Sequence, residues 1–322
     1  AGPRRTSLET PVIIDLPDTT VSQVAKQLVK VREEGGAVAL GRVLTLVIAA
    51  RNGVAEAAID AANDASREHP MRVIVITTGE GESRLDAQIR VGGDAGASEV
   101  VVLRAYGDAA SNEESLITGL LLPDAPVVAW WPEEAPTSPA TSPLGRIAQR
   151  RITDAATSPD VRDRLALLGR THAPGDTDLA WTRLTHWREQ LAAVLDQPPY
   201  EPITGVEVRG GSASPSTALL AAWLQMALGV RVRWSYENPE HWQEGIKSVR
   251  LTRASGDILL ERPSPGIAIL TQPDQPNHDL HLPRRTLREC LAEELRRLDP
   301  DVLYGRVITE GWEKLGPPET GE

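Results

Sequence analysis

The chain has 322 residues and a formal net charge of −11 at pH 7. That length points to two domains, and the acidic balance argues against nucleic acid, whose phosphates need a basic field. A single cysteine, Cys290, rules out an intrachain disulfide and fits a reducing, cytoplasmic setting; no apolar run is as long as a membrane span, and no apolar stretch follows Ala1-Gly2-Pro3-Arg4-Arg5.

Residues 1–11 are polar and are expected to be disordered. Thr20-Val21-Ser22-Gln23 has the pattern of a capping box. Val21, Val24, Ala25, Leu28 and Val31 then recur at helical spacing, and Gly35-Gly36 closes the helix. Val43–Ala50 is an apolar strand ending in a turn at Arg51-Asn52-Gly53. An Ala-rich helix follows and stops at His69-Pro70. Arg72–Thr77 reads as a buried strand. Leu85–Val91 alternates, with Leu85, Ala87, Ile89 and Val91 inward, as a half-exposed strand does. Gly92-Gly93-Asp94-Ala95-Gly96 turns the chain into a strand at Glu99–Leu103, and a helix near Asn112–Leu121 comes next.

The stretch from Leu120 to Pro132 is apolar, bounded by prolines and closed by Trp130-Trp131-Pro132. It reads as a short strand entered through a Pro-Asp turn. Side chains alternate along a strand, so Trp130 and Trp131 point to opposite faces of the sheet. One is then core, and only the other is free to contact a partner.

Residues 133–144 form a Pro/Ser/Thr-rich loop. Gln149–Asp154 is a further strand. Val161–Leu168 and Leu179–Leu195 are helices, the second carrying Trp181, Leu184, Trp187, Leu191, Val194 and Leu195 on one face. Pro198-Pro199 marks a boundary. Beyond it lie a strand (203–209), a turn, a helix (216–228), a strand (230–234), a hairpin (247–252 with 257–261), a last strand (267–270) and a Leu-lined helix (287–298). Cys290 lies beside that apolar face, so a buried and inert thiol is expected. Residues 316–322 are expected to be disordered.

The fold class expected is α/β: two α/β domains with mixed sheets flanked by helices. The N-terminal domain spans 12–197, including a helical connection at 159–197, and the C-terminal domain spans 198–315. Both halves share an order of elements, which suggests a structural duplication; like strand orders would support it. With no Phe among eight Trp and four Tyr, aliphatic residues must fill the cores and Trp must supply the bulk.

No strong catalytic signature is present: no P-loop, no G-x-S-x-G and no H-E-x-x-H. The Gly92–Ala97 segment has some features of a dinucleotide fingerprint but lies between two strands, which favours a tight turn. No cofactor is expected. Arg209, Gly210, Gly211, Ser212, Ser214, Ser216 and Thr217 follow a strand and open a helix. Amides at a helix N-terminus, with hydroxyls and an arginine, can hold a phosphate or carboxylate; the alternative is that Ser and Thr simply cap the helix. His278, Asp279 and His281 are close in sequence, but alternation separates them and no fourth ligand supports a metal, so a polar loop is favoured. His69, His172, His186 and His241 are isolated. Arg150-Arg151 reads as a solvated or ion-paired face.

Six segments carry a family resemblance. They are 42–47 (Arg-Val-Leu-Thr-Leu-Val), 65–75, 91–94 (Val-Gly-Gly-Asp), 121–132 with its Trp-Trp-Pro, 149–154 (Gln-Arg-Arg-Ile-Thr-Asp) and 175–184 with Asp178-Leu179-Ala180-Trp181-Thr182-Arg183. Over most of residues 12–315 the chain resembles the OpcA-type glucose-6-phosphate dehydrogenase assembly proteins in their actinobacterial form. It departs from them at Met71, where the family often has Cys, so thiol-based control is not expected. The resemblance implies a non-enzymatic partner that binds glucose-6-phosphate dehydrogenase and promotes its oligomerisation or activity, feeding the oxidative pentose phosphate pathway and NADPH supply. On that reading the contact surface lies around Trp130, Trp131, Asp124, Trp181 and Arg183, because Trp is enriched where an apolar side meets a partner. The competing reading is a sugar-phosphate sensor or enzyme using the Gly210–Thr217 loop.

Overall fold

The capping box at Thr20 forms as its sequence dictates: the Thr20 amide donates to Gln23 Oε1 at 2.9 Å and the Gln23 amide to Thr20 Oγ1 at 3.3 Å. It opens the first helix of a computed structural model that describes residues 12–34, 43–51, 55–91, 99–240, 242 and 245–319. The expected features at residues 1–11, Gly35-Gly36, Asn52-Gly53, Gly92–Ala97, His241 and 320–322 lie outside the described residues.

The chain forms two compact units, Ala1–Thr153 with Leu287–Asp299, and Asp154–Thr286 with Pro300–Glu322. The first contains β1 (Val12–Leu16), α1 (Val21–Glu34), β2 (Leu44–Ala49), α2 (Ala55–Ser66), β3 (Met71–Gly79) and β4 (Arg84–Val91). It continues with β5 (Glu99–Tyr106), α3 (Glu113–Thr118), β6 (Val127–Trp130), α4 (Pro143–Ile147) and β7 (Arg150–Thr153). The second contains α5 (Val161–Thr171), β8 (Asp176–Asp178), α6 (Leu179–Thr182), α7 (Thr185–Leu195), β9 (Gly205–Gly210) and α8 (Pro215–Leu228). It goes on through β10 (Val232–Tyr236), β11 (Ile246–Thr252), β12 (Ile258–Ser264), β13 (Gly266–Thr271) and β14 (His278–Leu282). The helix α9 (Leu287–Arg296) belongs to the first unit, and α10 (Val302–Arg306) and α11 (Trp312–Lys314) to the second.

In the first unit the strands run in the order β1-β4-β5-β3-β2-β6-β7. The pairs β5-β3, β3-β2, β2-β6 and β6-β7 are parallel, and β4 and β1 are antiparallel additions. Parallel neighbours need a crossover, and α2 supplies the one between β2 and β3. Strands covered on both faces read as continuous apolar runs, as Val73–Ile76 does. In β4, Leu85, Ala87 and Ile89 are buried between half-exposed residues, as the alternation requires. The helix α9 packs on α2, with Arg296 reaching Glu68 at 3.0 Å and Arg288 reaching Asp64 at 3.6 Å. Cys290 is fully buried on α9.

In the second unit the order is β10-β9-β11-β12-β13-β14. Only β10-β9 is parallel, joined through α8; the other pairs form an antiparallel meander. Trp181, Trp187, Leu191, Val206, Leu219, Leu260 and Tyr304 share one buried cluster there. The fold is α/β with two mixed sheets flanked by helices.

Four sequence expectations need correction. The strand orders are unlike, one a parallel α/β core and the other a meander, so the two units are not a duplication. The compact units do not divide at Pro198. The apolar face of α7 (Trp187, Leu191, Val194) is buried in the second unit's core, and α9 returns to the first unit. The His278–Leu282 segment is not a loop but an edge strand whose outward side chains are polar. The 316–319 segment is ordered: the Trp234 indole donates to Gly316 O at 2.9 Å and the Glu319 amide to Trp234 O at 2.7 Å.

Candidate functional site

Strand β6 is anchored on both edges. Val47 and Ile48 of β2 lie opposite Ala129 and Trp130, and Ala129 and Trp130 lie opposite Arg151 and Ile152 of β7. The turn before it places Asp124 at φ 57°, a left-handed conformation that Asp tolerates better than most residues, and leaves Asp124 exposed. The Trp131 amide extends the β7 pairing by donating to Ile152 O at 3.0 Å. Trp130 is 0% exposed and its Nε1 has no hydrogen-bond partner; Trp131 is 3% exposed and packs in the first unit's cluster with Val47, Ala129 and Leu144. The expectation that one indole stays available for contact therefore fails. Alternation sends the two rings to opposite faces, but both faces are covered.

The neighbouring arginines are not a solvated face either. Arg150 is buried and ion-paired with Glu294, and it donates to Asp299 O at 2.8 Å; Arg151 is buried and donates to Ala148 O at 2.8 Å.

In the second unit, Asp178 at the end of β8 caps α6 by accepting from the Ala180 amide at 2.9 Å, and it also accepts from the Ala155 amide. That cap fixes the residues that follow Ala180. The Trp181 indole donates to Asp301 Oδ2 at 2.8 Å, and the Arg188 guanidinium lies 3.8 Å from the Trp181 ring. Arg183 donates to both carboxylate oxygens of Asp154, at 2.8 and 2.6 Å. Asp154 and Arg183 thus meet in a fork-to-fork ion pair. Trp181 is buried; Arg183 is half-buried.

The Gly210–Thr217 loop follows β9 and opens α8. Its members are dispersed rather than convergent. Arg209 pairs with Glu237 at 2.7 Å, the Gly211 amide donates to Gly245 O at 2.9 Å, and the Ser216 hydroxyl donates to Ala180 O at 2.8 Å. Thr217 is fully buried, with Oγ1 lacking a partner, and Ser212 is exposed. Gly210 must be glycine, because a Cβ there would lie 2.7 Å from Gly245 O. Ser214 occupies the N-cap position but its side chain makes no capping hydrogen bond. Beside this helix start lies a cleft of ≈ 320 Å³, whose lining includes Ser214, Ser216, Trp187, Arg262, Arg284 and Arg285. Among the described residues, no group of three or more His, Cys, Asp or Glu side chains could hold a metal ion, and no helix is long and apolar enough to cross a membrane.

Two family models match the chain, both of the OpcA type and both describing a glucose-6-phosphate dehydrogenase subunit. Residues 62–170 match its N-terminal domain, and residues 174–308 match its C-terminal domain. The chain belongs to the OpcA family of glucose-6-phosphate dehydrogenase assembly proteins. No curated protein matches it. An oxidoreductase of known structure from Thermotoga maritima aligns with 84% of this chain and 95% of its own, at 11% identity and a TM-score of 0.40. The family's two domains meet at residues 170–174, at the end of α5, whereas the compact units divide at Thr153.

The sequence pointed to Arg183, through the family resemblance, and to the α8 start, but not to Arg262, Arg284 and Arg285 of the cleft. A signal was present. Ile258, Leu260 and Arg262 share the inward face of β12, so an arginine occupies a core position of an alternating strand. Arg284-Arg285 comes after Pro283, just past the end of β14.

Proposed function

We propose that the chain is a non-enzymatic assembly factor that binds glucose-6-phosphate dehydrogenase and acts as its allosteric activator. On this reading it promotes the dehydrogenase's oligomerisation or activity and thereby supplies NADPH through the oxidative pentose phosphate pathway. The observation that carries this reading is the match of both halves to domains named for that enzyme. The buried single cysteine suits a reducing cytoplasm.

Such a protein can activate only by binding the active or assembled dehydrogenase more tightly than the inactive form. Of the five residues named for contact, Asp124 is exposed and Arg183 half-buried, one in each unit. Trp130, Trp131 and Trp181 act beneath the surface, holding the backbone that presents them. Asp124 sits on a turn fixed by the Leu122 amide donating to Thr45 Oγ1 at 3.2 Å, so its carboxylate is presented with little entropy to lose on binding.

The test is a rate measurement. A purified glucose-6-phosphate dehydrogenase is assayed at fixed substrate while this chain is titrated in. A rate that changes and saturates with the chain supports the reading; a flat rate at every concentration refutes activation.

A further inference from the structure

The cleft beside α8 has the makings of a ligand site that the assembly reading does not use. Its lining includes Arg183, Arg262, Arg284 and Arg285, together with Asp154. Asp154 is occupied by both donors of Arg183, at 2.8 and 2.6 Å. Arg262 is 2% exposed. Its Nη2 donates to Leu282 O at 2.7 Å and its guanidinium lies 5.1 Å from the Trp187 ring, but Nε has no hydrogen-bond partner and no carboxylate among the described residues pairs with it. A buried cation without a counter-ion is costly, and an anion beside it removes the cost. Burial, and secondarily the charge of Arg284, lowers the Arg262 pKa to about 10, which leaves it charged at neutral pH.

The helix start supplies a second, independent attraction. Helix α8 is fourteen residues long and its Ser214 makes no capping hydrogen bond. First-turn amides and the helix dipole favour an anion there. The planar fork of arginine suits phosphate oxygens in particular. Trp187, Leu184 and Pro283 give the cleft an apolar wall, and its size, ≈ 320 Å³, suits a small metabolite. A polymeric phosphate is disfavoured by the chain's net charge of −11.

We propose that this cleft binds the phosphate monoester of a small metabolite, with Arg262 and Arg284 on the phosphate and the α8 N-terminus facing it. The site differs from the one expected around Arg209, whose guanidinium is paired with Glu237. The proposal goes beyond the assembly reading, and its test needs no dehydrogenase, so the two can fail separately.

The test is isothermal titration of the intact chain with glycerol 3-phosphate, glucose 6-phosphate and inorganic phosphate at low salt, repeated with Arg262→Gln and Arg284→Gln. One ester is expected to bind saturably at one site, at least tenfold tighter than inorganic phosphate, and to lose at least tenfold in affinity in either variant. If the buried Arg262→Gln protein does not fold, the exposed Arg284→Gln variant carries the comparison. Absence of saturable binding, inorganic phosphate binding as tightly as the esters, or unchanged affinity in the folded variants overturns the proposal.

Discussion

Arg183 grips Asp154 with two parallel hydrogen bonds, 2.8 and 2.6 Å long, and so joins residue 154 at the end of one family segment to residue 183 near the end of another. Asp154 is 6% exposed at its side chain and Arg183 27%. Asp154→Asn keeps the shape but removes the charge. It should cost about 1–3 kcal/mol of stability, the range for a charge-assisted hydrogen bond with a buried partner. A double-mutant cycle with Arg183→Ala should return a coupling of roughly 1 kcal/mol or more. Urea unfolding measures both, and an Asp154→Asn protein as stable as the wild type would show the pair to be ornamental.

The two tryptophans should behave as core. Trp130→Ala and Trp131→Ala should each destabilise by about 3–5 kcal/mol, as large-to-small core changes do. Trp130→Phe should cost far less, under about 2 kcal/mol, because the lost Nε1–H has no partner to leave behind. Thermal or urea unfolding separates these outcomes. A folded, fully stable Trp130→Ala protein would contradict the burial of that ring.

The sequence made much of the first unit legible, because its signals are local. The Thr20–Gln23 box, the alternation of Leu85, Ala87 and Ile89, and the apolar run at Val73–Ile76 each follow from spacing alone. The fate of Trp131 was not local: whether the second face is covered depends on what packs there from distant segments. The same holds for Arg150, whose ion-pair partner, Glu294, is 144 residues away. The boundary at Pro198 misled because a proline pair ends a helix without saying which core that helix joins. The arginine cleft was hidden because it assembles from six separated segments, and the inward register of Arg262 was its clearest local signal.

Inside the first unit Arg72 and Glu99 form a buried pair, 2.7 Å apart and 6% and 1% exposed at their side chains; Arg72 also hydrogen-bonds to Leu120 O. Glu99→Gln leaves a charge stranded between neighbouring strands β3 and β5. It should cost about 3–5 kcal/mol, whereas replacing both partners with apolar residues of similar volume should recover much of that loss. Equal destabilisation by the single and the double replacement, read from urea midpoints, would contradict this.

The Glu56–Arg90 pair predicts a pH dependence. Arg90 donates to both Glu56 oxygens, at 2.8 and 2.7 Å, and that hydrogen bonding holds the Glu56 pKa below its ordinary value. A depressed carboxylate binds its proton at lower pH in the folded state than in the unfolded state. Its contribution is therefore present above the ordinary carboxylate pKa and is lost as the pH falls through the depressed one. Glu56 is 64% exposed at its side chain, so solvent screening limits the contribution to about 0.2–1 kcal/mol. Glu56→Gln should be slightly less stable than the wild type at pH 7 and indistinguishable from it at strongly acid pH. An offset that persists unchanged into acid would rule out the ion pair as its source.

The most direct measurement of the central claim is gel filtration with light scattering on a purified glucose-6-phosphate dehydrogenase, this chain, and their mixture. A partner of that enzyme must give a new species whose mass exceeds the dehydrogenase alone and contains both proteins. If the mixture separates into the two unchanged components at concentrations well above those of the activity assay, the chain does not assemble with the enzyme for which its family is named.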